Sequence, residues 1–137
     1  MAGYSGTPLL KKLGIKDADR VLIANAPKAL PEELRATKSN SRGEVEFGLL
    51  FLQSQAELKR DWSKISARIV PDGMLWIAWP KKASGVVTDL TEDVIRNFVL
   101  KTEFVDVKVC AIDDIWSGLK LVIRKEDRAA RSKSAAN

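Results

Sequence analysis

The feature that most constrains the fold of this chain is a short apolar segment with turn residues on both sides. Gly73-Met74-Leu75-Trp76-Ile77-Ala78-Trp79 contains no charged residue, follows Pro71-Asp72, and stops at Pro80-Lys81-Lys82. A strand without polar alternation is typical of a parallel sheet whose two faces are covered by helices. The segment therefore predicts a central strand. In open α/β sheets, ligands bind beyond the carboxyl ends of such strands.

Strands and helices alternate along the rest of the chain. Apolar patterns predict strands at residues 20–26, 45–52, 73–79, 105–109 and 119–124, and helices at 8–13, 31–34, 54–69 and 89–99. Ser54 and Glu57 form a capping box, and either Asp89 or Thr91 caps the fourth helix. This order predicts a three-layer α/β fold with a mainly parallel sheet of about five strands. The short connection between the last two strands predicts a C-terminal antiparallel pair.

Length and charge distribution predict one domain followed by a tail. The 137 residues are enough for a single hydrophobic core. We assign residues 1–124 to this domain and residues 125–137 to a basic, disordered tail. From Arg124 onward the chain carries three of its five net positive charges. This tail could contact nucleic acid, but a solvated end is favoured, and nucleic acid is not an expected partner of the nearly neutral body.

Several functional classes are excluded or disfavoured by composition. The chain has no histidine and only one cysteine, Cys110, so it lacks the usual general base, the Ser-His and Cys-His nucleophile pairs, and a ligand set for a transition metal. Cys110 is expected to be an inert, packed thiol. No apolar run is long enough to span a bilayer, and Met1–Thr7 does not resemble a signal peptide. We therefore predict a soluble cytoplasmic protein with no metal site and no membrane partner.

Two segments resemble the class I methyltransferase-type Rossmann fold. Residues 13–22 resemble the approach to the nucleotide-binding strand of that superfamily, and residues 68–75 resemble its helix, proline–glycine turn and strand. The resemblance implies a trimmed, Rossmann-like domain related to S-adenosylmethionine (SAM) methyltransferases. Residues 23–28 lack the acid and the glycine-rich turn with which those enzymes hold their cofactor. We therefore predict no cofactor, with SAM or a nucleotide as the open alternative.

A closer resemblance covers nearly the full length of the chain. It is similar to the bacterial domain-of-unknown-function family 3052 in residues 1–9, 79–86, 88–92, 105–111 and 116–120. This resemblance implies a bacterial protein and implies no particular activity.

The predicted topology brings several polar and aromatic residues to one edge of the sheet. Because parallel strands finish at the same edge, their carboxyl ends and the chain before the first helix should form a ligand site. The candidate site residues are Tyr4, Asn25, Trp79, Lys81, Lys82, Asp113, Asp114, Trp116 and Ser117.

Each candidate has a chemical role and a simpler alternative. Lys81 and Lys82 could hold a phosphate or carboxylate with N–H groups at a helix start, or they could be solvated loop lysines. Trp79 and Trp116 could stack on a planar ligand or pack within the fold. The adjacent carboxylates of Asp113 and Asp114 could form an acid–base pair or hold a turn. Tyr4 could cover a ligand or order the N-terminal arm.

Three functions agree with these features. A ligand-binding, partner-binding or regulatory module is favoured, with a small anionic or planar ligand or a protein as its partner. A small transferase with a non-standard SAM or nucleotide site is the first alternative. A nucleic-acid-associated protein that uses its basic tail is the second. A non-enzymatic role is favoured because few candidate bases lie at the edge, and the oligomeric state is left open.

Overall fold

The computed structural model describes residues 8–40 and 42–136, the last five through their backbone only. In chain order, the helices and strands are α1 (Leu9–Leu13), β1 (Val21–Ala24), α2 (Glu32–Arg35), β2 (Val45–Phe51), α3 (Gln55–Ser66), β3 (Ile69–Pro80), α4 (Glu92–Val99), β4 (Phe104–Ala111), β5 (Trp116–Ile123) and α5 (Lys125–Ala136). A short 3-10 turn spans Lys82–Ser84. Among these described helices, none is long and apolar enough to cross a membrane.

The strands form one five-stranded sheet in the order β1-β2-β3-β5-β4. β1, β2 and β3 pair in parallel, whereas β5 pairs antiparallel with both β3 and β4. Only β5 therefore runs against the other described strands. The predicted α/β class, the central position of the apolar strand and the C-terminal antiparallel pair are all confirmed.

β3 begins earlier than its apolar core indicates. The strand starts at Ile69, so the predicted turn around Pro71 lies inside it. The pairing with β2 is irregular there, because Val45 pairs with Ile69 whereas Phe47 pairs with Met74. A Cβ atom on Gly73 would lie 2.8 Å from the Glu46 carbonyl oxygen, so glycine is required for the two backbones to approach this closely.

One sheet face, which we call face A, packs against α3 and α4. Its core contains Leu58, Trp62 and Ile65 from α3, Ile95 and Val99 from α4, and alternate residues of the central strands. The Trp62 ring meets the rings of Phe98 and Phe104 edge-on, with centroids 5.6 and 5.2 Å apart. Such edge-to-face pairs add about 0.5–1.5 kcal/mol each beyond the burial of apolar area.

The opposite face, which we call face B, packs against α1 and α2. Leu9 and Leu13 of α1 and Leu34 of α2 cover Phe47, Trp76 and further apolar residues of β1, β2 and β3. The buried Trp76 indole N–H donates to the Leu13 carbonyl oxygen at 2.9 Å. Gly14 ends α1 in the left-handed conformation, with φ 91°, as the sequence predicts for a helix C-terminus. The sheet thus has helices on both faces, which confirms the three layers.

Face B is covered less completely over β5 than face A. Leu119, Leu121 and Ile123 point to face A and are fully buried. Lys120 and Val122, which alternate with them, are only half-buried. The half of face B formed by β4 and β5 is therefore partly open.

The outer edge of β1 is bonded by the segment that follows α2. Asn40 donates its backbone N–H to the Val21 carbonyl oxygen at 2.6 Å, and its side-chain oxygen accepts from the Val21 N–H at 3.4 Å. The Ser39 hydroxyl accepts from the Ile23 N–H at 2.9 Å and donates to the Ile23 carbonyl oxygen at 3.5 Å. A segment that reads as a polar loop thus occupies the position of a further strand.

The structure differs from the predicted disordered tail. Residues Lys125–Ala136 form α5. The Arg131 side chain donates to the Ile69 carbonyl oxygen at 2.9 Å, to the Ser66 carbonyl oxygen and to the Glu103 carboxylate. Its guanidinium also lies 5.6 Å from the centre of the Phe104 ring. These partners are distant in sequence, so a basic stretch gives no local sign of them.

Candidate functional site

The carboxyl ends of β1, β2 and β3 lie at one edge of the sheet, which we call the carboxyl edge. Asn25 follows β1, Gln53 follows β2, and Lys81 follows β3. The connection between β4 and β5 lies at the same edge, because Trp116 pairs with Pro80. The predicted convergence of these loops is thus seen in the backbone. Tyr4 lies outside the described residues.

The two candidate tryptophans lie on opposite faces of the sheet. Trp79 pairs with Ser117 and belongs to the core of face A, where it is 7% exposed. Trp116 packs on face B, with its ring edge-on to Phe51 at 5.0 Å. They therefore do not form one stacking platform, and both contribute to packing.

Lys81 and Lys82, which follow β3, do not lie beside a helix start with uncapped N–H groups. The Lys81 backbone N–H donates to the Ile115 carbonyl oxygen at 2.7 Å and so joins the end of β3 to the β4–β5 connection. Lys82 is exposed at the start of the 3-10 turn. The predicted anion site needs N–H groups from α3 or α4, and these helix starts are already capped.

At the start of α3, the side chains of Ser54 and Asp89 accept hydrogen bonds from N–H groups of the helix. The Ser54 hydroxyl accepts from the Glu57 N–H at 3.1 Å, as predicted. The Asp89 carboxylate accepts from the Gln55 N–H at 2.8 Å. Thr91, rather than Asp89, caps α4 by accepting from the Val94 N–H at 3.2 Å. Asp89 is therefore an internal anion at α3, in the position where a bound anion was predicted.

Asp113 and Asp114 do not act as a pair. The Asp113 carboxylate accepts from the N–H groups of Ile115 at 2.8 Å and Trp116 at 2.7 Å. This is an Asx-type turn, in which the side chain replaces a backbone acceptor. Asp114 is exposed. Asp113 thus holds the β4–β5 connection in shape.

The most unusual backbone in the described chain lies at Asn25. Its φ is 58°, and every other described residue with positive φ is a glycine. Asparagine is among the few residues that tolerate this left-handed region. The turn after β1 thus takes the conformation that a glycine would otherwise supply.

Asp61 of α3 lies beside Asn25 and is a candidate site residue that sequence reasoning missed. The Asn25 amide donates to the Asp61 carboxylate at 3.0 Å, and Arg60 donates to the same carboxylate at 3.0 and 2.9 Å. The hydrogen bond from Arg60 lowers the pKa of Asp61; burial opposes this shift, and the bond from Asn25 adds to it. An ionised acceptor therefore lies next to the turn. The two residues are 36 positions apart, and no local pattern joins them.

The groups around this turn can exchange hydrogen bonds with a polar molecule. The turn offers an exposed backbone, a side-chain amide and a neighbouring carboxylate, which together can accept and donate hydrogen bonds. Within residues 8–40 and 42–136, no group of three acidic or cysteine side chains lies close enough together to hold a metal.

Comparisons with known proteins identify the fold. No family model matches the chain, and no curated protein is similar to it in sequence. The structure of a LepI variant in complex with SAH and a substrate analogue matches with a TM-score of 0.50 and 11% identity, over 86% of this chain and 47% of that chain. The structure of the LepI complex with SAM matches with a TM-score of 0.48 and 12% identity, over the same shares. The chain thus spans about half the length of these structures.

The comparison corrects one prediction from the sequence. The missing glycine-rich turn after β1 predicts that the chain has no cofactor. That prediction is wrong, because a chain with this fold was solved in complex with SAH. The missing glycine does not by itself exclude a left-handed turn after β1, because Asn25 adopts that conformation.

Proposed function

We propose that this domain binds an adenosyl ligand of the SAM or SAH class at the carboxyl edge of β1 and β2. The observation that carries the proposal is the left-handed Asn25 directly after β1. Backbone in a sparsely populated region costs on the order of 1–3 kcal/mol and is concentrated at ligand sites. The shared fold with a protein in complex with SAH supports the choice of ligand.

The residues around the turn fit such a ligand. Ala24 and Ala26 flank Asn25 with small side chains, and Ala26 is exposed, so a ligand can approach the backbone. The Asp61 side chain remains 18% exposed beside the turn. We propose that its carboxylate accepts hydrogen bonds from ribose hydroxyls. Ser39 and Asn40, which occupy the neighbouring strand position, provide no acid there.

The proposed role is binding rather than group transfer. The chain has no histidine, and the Asp113 carboxylate is already committed to its turn. The residues at the carboxyl edge therefore agree best with a ligand-responsive or partner-binding module. Membership of family 3052, a bacterial source and a cytoplasmic location remain predictions from the sequence.

The test is ligand binding by the whole chain. Isothermal titration with SAM, SAH and ATP should show binding of the first two, and a ligand at 100 times its dissociation constant should add about 2.7 kcal/mol to the free energy of unfolding. Asn25→Gly keeps the turn accessible and should retain binding. Asn25→Val cannot adopt the turn without strain and should abolish binding. Asp61→Asn should weaken binding about tenfold.

Asp72→Asn is the matched control, because Asp72 is an exposed carboxylate near the start of β3, away from the carboxyl edge. It should bind SAH as the unmodified chain does. The proposal is wrong if the unmodified chain binds neither SAM nor SAH at millimolar concentration, or if both aspartate variants lose the same affinity. Conversion of SAM to SAH in these samples would instead favour the transferase alternative.

A further inference from the structure

Four lysines lie on the open half of face B, and we call them the lysine patch: Lys12, Lys16, Lys108 and Lys120. Lys108 and Lys120 stand directly opposite each other in the antiparallel pair of β4 and β5. Lys12 of α1 reaches the far end of β4, where its ammonium lies 3.4 Å from the Ala111 carbonyl oxygen. Lys16 follows α1, and its charge contributes to lowering the pKa of Lys120.

The patch is electrostatically unfavourable by itself. Like charges directly opposite each other in an antiparallel pair destabilise a sheet. Lys120 is also half-buried. Burial lowers the pKa of Lys120, and the charges of Lys108 and Lys16 lower it further.

Close to the patch, the Asp19 carboxylate accepts from the Lys16 backbone N–H at 3.0 Å. None of the four lysines takes part in an ion pair within the described ranges. The nearby Asp106 carboxylate pairs with Arg96 of α4 on face A, at 2.9 Å. Every Asp and Glu of the sequence lies within the described ranges. The ammonium groups of the cross-strand pair are therefore available to an anion from outside the chain.

We propose that the lysine patch binds a multiply charged phosphate anion, such as a polyphosphate or a phosphorylated small molecule. Lysine ammonium groups bind phosphate as point charges, and the partial burial of Lys12 and Lys120 strengthens the attraction relative to bulk water. The patch extends along β4 from Lys108 to Ala111, beside which Lys12 lies, a distance of about 10 Å at the usual rise per residue. That distance matches a short polyphosphate, whereas a nucleic acid would need a longer basic track.

This site is separate from the proposed adenosyl site, which lies beyond β1 at the other end of the sheet order. The two proposals can therefore fail independently. Asn25→Val should leave phosphate binding unchanged, and loss of the lysines should leave SAH binding unchanged.

Inorganic tripolyphosphate is the probe, titrated calorimetrically into the whole chain at 50 and 200 mM salt. We expect binding that weakens with salt and that falls at least tenfold in Lys120→Gln and in Lys108→Gln. Lys101→Gln removes the same charge from an exposed lysine after α4, and it should change affinity less than twofold. Thermal unfolding of each variant confirms that it is folded.

Three results would overturn the proposal. The first is no binding of tripolyphosphate at millimolar concentration at the lower salt. The second is an equal loss in Lys101→Gln and Lys120→Gln, since that would mean only general attraction to a basic protein. The third is binding of a single-stranded ten-nucleotide DNA that depends on Lys120, without any binding of tripolyphosphate. That result would assign the patch to nucleic acid.

Discussion

The two faces of the sheet are formed by the same strands but are covered by helices to different extents. On face A, α3 and α4 bury alternate residues of the central strands in one apolar core. On face B, α1 and α2 bury the residues of β1, β2 and β3, whereas Lys120 and Val122 of β5 stay half-buried. From this difference we expect face A to contribute more to the stability of the fold than face B.

Helix length explains this asymmetry. On face A, α3 and α4 contain 12 and 8 residues, whereas α1 and α2 on face B contain 5 and 4. A helix rises about 1.5 Å per residue, so the short helices can cover only part of a five-stranded sheet. The open half of face B is therefore a consequence of the first third of the sequence.

The largest expected loss of stability follows a substitution on face A. Trp62→Ala removes a buried ring that contacts Phe98 and Phe104. We expect the free energy of unfolding to fall by about 3–5 kcal/mol, measured by urea denaturation. A loss below about 1 kcal/mol would contradict the expectation that face A contributes more to stability than face B.

A smaller effect is expected at the covered half of face B. Trp76→Phe keeps most of the ring but leaves the buried Leu13 carbonyl oxygen without its donor. The expected cost is about 1–3 kcal/mol. Hydrogen exchange should show faster exchange in α1 and unchanged protection in α3. Equal loss of protection in both helices would mean that the two faces do not behave as distinct units.

The smallest change in the free energy of unfolding is expected at the open half of face B, and there it is an increase. Lys108→Gln removes one of two opposed charges, so the free energy of unfolding without phosphate should rise by about 0.2–1 kcal/mol. The lowered pKa of Lys120 means that the folded chain binds this proton less tightly than the unfolded chain. The destabilisation caused by the charged Lys120 is fully present at pH values below the pKa of Lys120 in the folded chain. It disappears as the pH rises from there toward 10.5, the ordinary pKa of lysine.

The difference in the free energy of unfolding between Lys108→Gln and the unmodified chain should therefore shrink as the pH rises from 7 toward 10.5. Thermal unfolding at several pH values measures it. A variant that is less stable than the unmodified chain at pH 7 would show that Lys108 has a stabilising partner.

Features that rest on local chemistry were predictable from the sequence. The apolar run in β3 predicted a central strand, and the Ser54 and Gly14 caps were both confirmed. At α4 the sequence left Asp89 and Thr91 as rival caps, because both residue types can accept from a helix start. Tertiary structure decided between them by bringing Asp89 to α3.

The site was less predictable because its geometry depends on register and on distant contacts. Which face Trp79 and Trp116 occupy follows from the pairing of β3 with β5, and a shift of one residue would reverse it. The contact of Asn25 with Asp61 joins two segments with no shared pattern. The α5 helix likewise depends on contacts of Arg131 with Ser66, Ile69 and Glu103.

The side chains along β1 also affect how this protein behaves at high concentration. An unpaired strand edge is a template on which another chain can add a strand and start aggregation. Ser39 and Asn40 already bond the outward N–H and carbonyl groups of Val21 and Ile23. At the opposite edge, β4 carries an irregularity between the charged Asp106 and Lys108. We therefore expect the β1 edge, whose backbone groups are already bonded, to resist strand addition more strongly than the β4 edge, where Val107 and Val109 are exposed.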